Sequence, residues 1–201
     1  ELVLASYNAS TGDILYTFKQ TFPRIILAES LTHTIASKNT SSSRAISTKS
    51  HLLSILKNPF LPSYIGQYKA GMQAGTEIEG WRRTLLEGLW SVSRYAMVGI
   101  SFCCWRLGAH KQFTNRLTEP WAWIEQIWSS TDVENEILLR NHPDAEPHYH
   151  ELARQKAELV TKVKDHILNG IESPETAGRC QTIRHGKWHL PFTRREQDWL
   201  D

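Results

Sequence analysis

The stretch "LVLASYNASTGDILYTFKQ", residues 2–20, decides how the chain begins to fold. Its two outer parts are rich in aliphatic, aromatic and β-branched residues, and the central "NASTGD" consists largely of turn formers. Two such runs joined by a short turn predict an antiparallel hairpin. We therefore expect a strand pair at the start of the fold, against which later elements pack.

A helix is predicted directly after this hairpin. Pro23 suits a first helical turn, and "RIILAESLTH" has enough apolar positions for a mostly buried helix that ends near His33. Residues 38–48 are nearly all Ser, Thr, Asn, Lys or Arg, which form hydrogen bonds locally and cannot form a core. They predict a solvated loop, so His33 is expected at a helix end that faces this loop.

The middle of the chain predicts one long central helix. A short helix over residues 49–57 comes first, and residues 58–75, with two prolines and three glycines, predict an irregular segment. From Thr76 to about Leu107, apolar residues recur every three or four positions, which is typical of a helix with one buried face. That face consists of Ile78, Trp81, Leu85, Leu89, Val92, Ala96 and Gly99.

The last third predicts a strand followed by two helices. "WAWIEQIWSS", residues 121–130, alternates as a strand does, and Asp132 is a suitable N-cap for a helix through "DVENEILLRNH". A final helix is expected from Glu146 to Leu168. Strands combined with long helices predict a mixed α/β (α+β) fold, as a single domain over residues 1–201.

Composition excludes several functional classes. The net charge of +2 over 201 residues, with Lys and Arg scattered, does not indicate a nucleic-acid-binding protein. Three cysteines, two of them adjacent, suit no disulfide framework and favour a reducing compartment. No apolar run reaches the roughly 18 to 20 residues of a membrane span. We expect a cytoplasmic protein.

Two candidate sites in the sequence are weak. His142, Asp144, His148 and His150 include a His-x-His pattern, but prolines interrupt the helical register and no cysteine pair supports zinc, so no metal site is expected. The cysteines of "FCCW" have apolar neighbours, which predicts buried and unreactive thiols. A hydrolase with a Cys/His pair is therefore a remote alternative.

A larger set of polar groups suits a phosphate and a polar ring. Guanidinium groups bind phosphate oxygens through two parallel hydrogen bonds, and hydroxyl and amide groups complete such pockets. Each of the four arginines, taken alone, is typical of a surface ion pair. A pocket forms only if the fold brings these separate residues close together. The set consists of Arg24, Arg44, Arg116, Arg140, Ser41, Ser42, Ser43 and Gln112.

Residues 32–45, "THTIASKNTSSSRA", resemble the signature of the flavin-dependent thymidylate synthases, in which Arg-His-Arg is followed by seven residues, a serine and, two positions on, an arginine. His33, Ser42 and Arg44 keep this spacing without a gap. Further segments resemble the phage-type branch of the family, in its order: "TFPRIILAESLTH", "NTSSSRAI", "AGMQAG", "LGAHKQFTNRLTEPW", "LLRNHPDAEP" and "WHLPF".

The resemblance implies a homotetramer of mixed α/β subunits with active sites where subunits meet. Its members bind FAD, deoxyuridylate, a reduced nicotinamide such as NADPH, and methylene-tetrahydrofolate, and they transfer a one-carbon unit to C5 of the uracil. The cofactor carries the difficult chemistry, and the protein binds, orients and polarises. Because this family needs no enzyme cysteine as nucleophile, the unreactive cysteines agree with it.

The resemblance also implies roles for individual residues. His33, Ile35, Asn39 and Asn135 would contact the flavin, and His33, Arg116 and Arg140 would be catalytic. The arginines would stabilise charge that develops on the uracil ring. When this segment is aligned with the family on Pro120, the family's arginine position falls on Arg116. When it is aligned on Gln112, that position falls on Asn115, which is the alternative. The nucleotide site would consist of Glu29, Ser42, Ser43, Arg44, Gln112, Arg116 and Arg140, with Asn115 in reserve.

The chain departs from the signature at two positions, where Thr32 and Thr34 replace both arginines of Arg-His-Arg. A threonine hydroxyl carries no charge and cannot bind in a fork. Three hypotheses follow: a thymidylate synthase in which another arginine, such as Arg24, takes over; a hydroxymethylase of deoxyuridylate or deoxycytidylate for modified viral DNA; or a non-catalytic nucleotide-binding protein. We rank them in that order.

Overall fold

A five-stranded mixed sheet and six helices form the part of the chain that the structure describes. This computed structural model describes residues 1–71, 73–183, 188–189 and 199–200. The strands of the sheet are β1 (Leu2–Asn8), β2 (Ile14–Pro23), β3 (Ser37–Thr40), β4 (Trp123–Ser130) and β5 (Cys180–Ile183). The helices are α1 (Leu27–Thr32), α2 (Thr48–Lys57), α3 (Gly80–Arg106), α4 (Lys111–Thr114), α5 (Glu134–Arg140) and α6 (Pro147–Asn169).

Four shorter elements complete this description. Stretches of 3-10 helix cover Arg24–Ile26, before α1, and Asn115–Trp121, before β4. Two short strands, β6 (Trp188–His189) and β7 (Trp199–Leu200), pair with each other. The segment "WHLPF", which contributes to the family resemblance, lies mostly outside the described residues.

The predicted hairpin is confirmed and forms the middle of the sheet. The strand order is β3-β4-β2-β1-β5, with β1, β2, β4 and β3 antiparallel in succession and β5 parallel to β1. In the hairpin turn, Gly12 has φ +80°, a conformation that favours glycine, and its N–H donates to Asn8 O at 2.8 Å. This turn fixes the register of the two strands.

Helix α6 packs across β1, β2 and β5 and buries the main core. Val160 and Val163 lie against Phe18 and Trp128. Burial of each such side chain contributes roughly 1.5–3 kcal/mol. A second cluster joins α2 and α3 to the segment before β4, so the sheet and the long helix α3 are connected mainly through that segment.

The predicted bounds of α6 are confirmed, and capping explains them. The side chain of Glu146 accepts the N–H of Tyr149 at 2.8 Å, and Pro147 occupies the first helical turn. The helix ends at Gly170, whose φ of +68° stops it. The strand predicted at residues 121–130 is likewise confirmed as β4. Asp132 lies two residues before α5, with its carboxylate 3.5 Å from Asn135 N.

The loop predicted for residues 38–48 is wrong in its first part, because Ser37–Thr40 forms the edge strand β3. Its backbone pairs with residues 126–129 of β4, and Gln126 Nε2 donates to Thr40 Oγ1 at 2.8 Å. The neighbouring strand supplies the partners that polar residues would otherwise find locally. The helix before His33 is less buried than predicted, because Ile25 and Leu31 are exposed.

Helix α3 is confirmed, but the prediction of its buried face is wrong for the isolated chain. The residues that face the protein are chiefly Trp90, Arg94, Val98 and Ser101. The predicted stripe lies on the opposite side. Its exposed fractions are 73% for Trp81, 54% for Leu85, 56% for Leu89 and 66% for Val92. A hydrophobic period shows that a face is apolar but does not show which chain covers it.

The prediction of buried cysteines is also wrong for Cys103, which is exposed on the outward side of α3. Cys104 and Cys180 are half-buried, and burial raises the pKa of the Cys180 thiol. None of the helices in the described part of the chain is both long enough and apolar enough to cross a lipid bilayer.

We expect the contact between α6 and β4 to be a main source of stability. Ile124 is 2% exposed and packs with Phe22, Ile26 and Tyr149, so Ile124→Ala should lower the free energy of unfolding by about 2–5 kcal/mol. Leu168→Ala, at a 66% exposed position, is the control and should change it by less than about 0.5 kcal/mol. Urea unfolding measures both, and equal losses would contradict this packing.

Candidate active site

A cavity of about 210 Å³ opens beside His33, between the segment after α1, the end of β4 and helix α5. His33, Ile35, Asn135 and Arg140 all line it, although they come from separate stretches of the sequence. The pairing of β3 and β4 brings the segment after His33 next to the start of α5. The structure therefore gathers most of the predicted flavin residues and one predicted catalytic arginine at one place.

Arg140 holds His33 in a defined protonation state. Arg140 Nε donates to His33 Nε2 at 3.0 Å, and Arg140 Nη2 donates to Thr32 Oγ1 at 3.1 Å. A guanidinium nitrogen can only donate, so His33 Nε2 must accept, and the neutral ring carries its proton on Nδ1. Burial, and the positive charge of Arg140, lower the pKa of His33.

The ring of Tyr149 supports both side chains from behind. It stacks on His33 with 6.0 Å between ring centroids and 17° between planes, and the Arg140 guanidinium lies 5.2 Å from its centroid. Its hydroxyl donates to Glu136 Oε1 at 2.7 Å. Burial raises the pKa of Tyr149, and the nearby Glu136 carboxylate raises it further, so this hydroxyl remains protonated.

A buried ion pair lies behind the tyrosine. Lys156 Nζ is 2.7 Å from Glu136 Oε1, and both side chains are only 3% exposed. The ammonium also lies 4.0 Å from the centre of the Trp128 ring. Burial lowers the pKa of Lys156. Glu136 and Trp128 line the cavity and Lys156 does not, so the ion pair lies at the back of the cavity wall.

Two buried polar atoms near the cavity have no hydrogen-bond partner among the described residues. They are Trp128 Nε1, a donor, and Glu136 Oε2, an acceptor. Such groups cost about 1–3 kcal/mol each when unsatisfied, and native proteins contain few of them. Both belong to residues that line the cavity, although the two atoms themselves are buried.

The loop that carries Ser42, Ser43 and Arg44 is held by a separate cluster. Asn115 Nδ2 donates to Ser43 O at 2.8 Å and to Ile46 O at 3.1 Å. Ser43 Oγ donates to Glu119 Oε1 at 2.9 Å. Because Asn115 is fully buried and bound to this loop, it acts there as a support, and Arg116 is the more accessible of the two alternatives.

Arg24 belongs to this loop cluster and does not line the cavity beside His33. Its Nε lies 3.0 Å from Glu119 Oε1. The hypothesis that Arg24 replaces a missing signature arginine therefore has no support in its position. Arg140 is the arginine that contacts both Thr32 and His33.

The remaining predicted residues do not line the cavity in the described part of the chain. Ser42, Arg44, Gln112 and Arg116 are exposed, as is Asn39 on β3. Glu29 is half-buried, and its Oε2 is buried without a hydrogen-bond partner among the described residues. Among the arginines and serines of the predicted phosphate pocket, Arg140 alone lines the cavity beside His33 in a single chain.

Sequence reasoning missed Trp128, Glu136, Tyr149 and Lys156. One signal for Lys156 was present, because it stands on the apolar stripe of α6 with Ala153, Val160 and Val163, all buried. A lysine on such a stripe must find a buried partner or leave the core. Glu136 gave no comparable signal, since the short helix α5 has exposed apolar residues as well.

The histidine-rich segment after α5 has a structural role. His148 Nε2 accepts the N–H of Ser63 at 3.2 Å, and its Nδ1 lies 2.7 Å from Glu146 Oε1. These contacts fasten the irregular segment before α3 to the start of α6. Within the described ranges, no three His, Cys, Asp or Glu side chains are grouped so that they could hold a metal ion.

We expect the stability of the protein to fall in mild acid. Burial lowers the pKa of His33 and of His51 from 6.5, so the unfolded state binds more protons below that pH. The free energy of unfolding should therefore decrease as the pH falls through about 6.5. His33→Gln should reduce this slope, whereas His142→Gln, at an exposed position, should not. Urea unfolding at several pH values measures how the free energy of unfolding changes with pH. Equal changes in the wild type, His33→Gln and His142→Gln would contradict a buried, neutral His33.

Comparison with known proteins finds solved structures that match part of this chain at low sequence identity. No family model and no curated protein matches. A solved flavin-dependent thymidylate synthase ThyX from Helicobacter pylori, complexed with FAD and dUMP, is 13% identical, with a TM-score of 0.47 over 70% of this chain and 65% of that chain. A second ThyX structure from H. pylori with FAD and dUMP is 12% identical, with a TM-score of 0.48 over 70% and 64%. The chain spans about 65% of the length of these enzymes.

Proposed function

We propose that this protein is a flavin-dependent enzyme that transfers a one-carbon unit from methylene-tetrahydrofolate to C5 of deoxyuridylate and makes thymidylate. FAD is the proposed cofactor and NADPH the proposed reductant. The observation that carries the proposal is that His33, Ile35, Asn135 and Arg140 line one cavity. The signature resemblance assigns these same residues to the flavin and the nucleotide.

The chemistry of the cavity wall suits the edge of a flavin or pyrimidine ring. Such a ring alternates carbonyl acceptors with N–H donors. The cavity offers the donors His33 Nδ1 and Arg140 and the amide of Asn135. Sites with a few convergent polar groups on an otherwise apolar wall are typical of cofactor binding.

Arg140 is the proposed electrostatic catalyst. Its Nε and Nη2 are used on His33 and Thr32, which leaves Nη1 and the positive charge for a ligand. A fixed guanidinium stabilises negative charge that develops on a uracil carbonyl without reorganising during the reaction. A bound flavin would supply the redox chemistry of the transfer. His33, as a neutral ring, orients the ligand through an Nδ1 donor.

We further propose that the complete site forms between subunits of a homotetramer. A cavity of about 210 Å³ is smaller than the roughly 300–1,000 Å³ of sites that enclose a drug-sized ligand. FAD and a nucleotide together need a larger volume than this cavity provides. Arg44, Gln112 and Arg116 are exposed in one chain, where they could bind the nucleotide phosphate of a neighbouring site.

The outward face of α3 supports this assembly. Trp81, Leu85, Leu89 and Val92 are exposed and spaced by three or four residues, with Gly88 beside them in a shallow groove. A continuous apolar stripe of this length is unusual on a monomer, and the spacing is that of a helix that packs against another helix. A second copy of this chain is the proposed occupant.

The function is tested by one reaction. Purified protein, FAD, NADPH and methylene-tetrahydrofolate are mixed with deoxyuridylate or deoxycytidylate, and mass spectrometry identifies the nucleotide product. We expect a methyl group on deoxyuridylate. A hydroxymethyl group on either nucleotide would establish the hydroxymethylase, and bound FAD without product would indicate a nucleotide-binding protein. A colourless protein whose melting temperature FAD does not raise would overturn the flavin-based proposal.

Arg140→Gln should lower kcat by about 100- to 1,000-fold in the same reaction, because it removes the charge beside the proposed ring. Arg154→Gln is the matched control, since Arg154 is paired with Glu151 on the outer side of α6, and this variant should keep normal turnover. Equal activity of the two variants would show that Arg140 has no part in the chemistry.

The assembly is tested on α3. Leu85→Glu combined with Val92→Glu places two charges on the exposed stripe, and light scattering should then report a smaller particle than the wild-type tetramer. Ser93→Glu, which adds a charge to the same helix outside the stripe, should leave the mass unchanged. A wild-type protein with the mass of one chain, or an unchanged mass in the double variant, would contradict the interface.

A further inference from the structure

Stability alone does not explain the buried ion pair between Glu136 and Lys156. Moving two charges into a protein interior costs several kcal/mol per ion, and well-packed apolar residues often replace such pairs without loss. Here both side chains are 3% exposed and lie directly behind the wall that carries His33 and Arg140. Their position indicates a role in arranging those two residues.

Glu136 and Arg140 are four residues apart on α5, the spacing at which Glu and Arg side chains attract each other. Yet Arg140 points its Nε at His33 and its Nη2 at Thr32, and it forms no ion pair with Glu136 in the described part of the chain. Something must therefore satisfy Glu136 from another direction. Lys156 and Tyr149 satisfy one of its two oxygens, because both donate to Oε1 at 2.7 Å, and Lys156 balances its charge; Oε2 has no partner among the described residues.

We propose that Lys156 and Tyr149 are positioning residues: by balancing the charge of Glu136 and occupying its Oε1, they keep Arg140 on His33 and so fix both side chains at the wall of the cavity. Lys156 supplies the compensating charge, and Tyr149 supplies the surface on which the two side chains rest. No ligand is needed for this arrangement, so the proposal holds whichever reaction the site performs.

Tyr149 is well suited to this role because its backbone N–H and its side-chain hydroxyl are both held by hydrogen bonds. Its N–H is bound by Glu146 Oε2 at 2.8 Å in the first turn of α6, and its hydroxyl is bound by Glu136. The ring between these anchors stacks on His33 and lies under the Arg140 guanidinium. A shift of Glu136 is therefore passed to His33 and Arg140 through one rigid ring.

The charged groups around His33 allow the effect of each change to be predicted. Glu136 and Arg140 approach from α5, Lys156 from α6, and Lys38 from β3, where its ammonium donates to the His33 carbonyl. The three cations lower the pKa of His33, and Glu136 raises it. If Arg140 moves from His33 to Glu136, the ring loses its donor and can be protonated more easily.

The test is the titration of His33 in the ligand-free protein, followed by NMR of labelled histidine rings and assigned with His33→Gln. Tyr149→Phe removes one donor to Glu136 without changing any charge, so a rise in the pKa of His33 in this variant reports the movement of Arg140. Lys156→Met should raise the pKa further, both by freeing Glu136 and by removing a cation near His33. In the double variant Glu136→Gln with Lys156→Met, the attraction on Arg140 is gone, and the pKa should return toward its wild-type value. Lys162→Met removes an outer lysine of the same helix, paired with Glu175, and should have no effect.

Circular dichroism checks that each variant is folded. If Lys156→Met does not fold, Tyr149→Phe removes only one donor to Glu136 and should raise the pKa of His33 in the same direction, by less. A pKa of His33 that Tyr149→Phe leaves unchanged, or that rises equally in the double variant, would overturn the proposal. Because no cofactor is present, this result is independent of whether the protein binds FAD.

Discussion

The charge of Lys156 is the constraint on which the site depends. An ammonium on the buried stripe of α6 has to be compensated, and Glu136 does this from α5 across a distance of 2.7 Å. That contact fixes how α5 lies against α6 and where the Tyr149 hydroxyl binds. It thereby determines the surface on which His33 and Arg140 meet.

The sheet and helix α3 serve different purposes in this protein. The sheet, with β4 between β2 and β3, positions the cavity residues within one chain. Helix α3 contributes little to that cavity and presents an apolar face to the outside. A small cavity, exposed phosphate-binding candidates and an uncovered helix together favour a site that several copies of the chain complete.

Local patterns in the sequence predicted the hairpin, β4 and α6, because period, turn residues and caps act over a few positions. The conserved spacing of the signature pointed to His33 and Arg44, but only His33 lies at the cavity of one chain. The buried face of α3 could not be assigned, since an apolar stripe looks the same whether its own chain or another covers it. The pairing of Glu136 with Lys156 depends on how α5 and α6 pack, which no local pattern encodes.

The central claim is that the cavity beside His33 holds a flavin, and FAD binding to an altered cavity tests it most directly. Ile35 lines the cavity and is exposed, so Ile35→Asp adds a charge there with little effect on folding. The proposal predicts that the wild-type protein quenches FAD fluorescence on binding, and that Ile35→Asp weakens binding at least about tenfold, equal to about 1.4 kcal/mol. Ile171→Asp, at another exposed position, should bind normally. Equal binding by all three proteins, or none by the wild type, would contradict the claim.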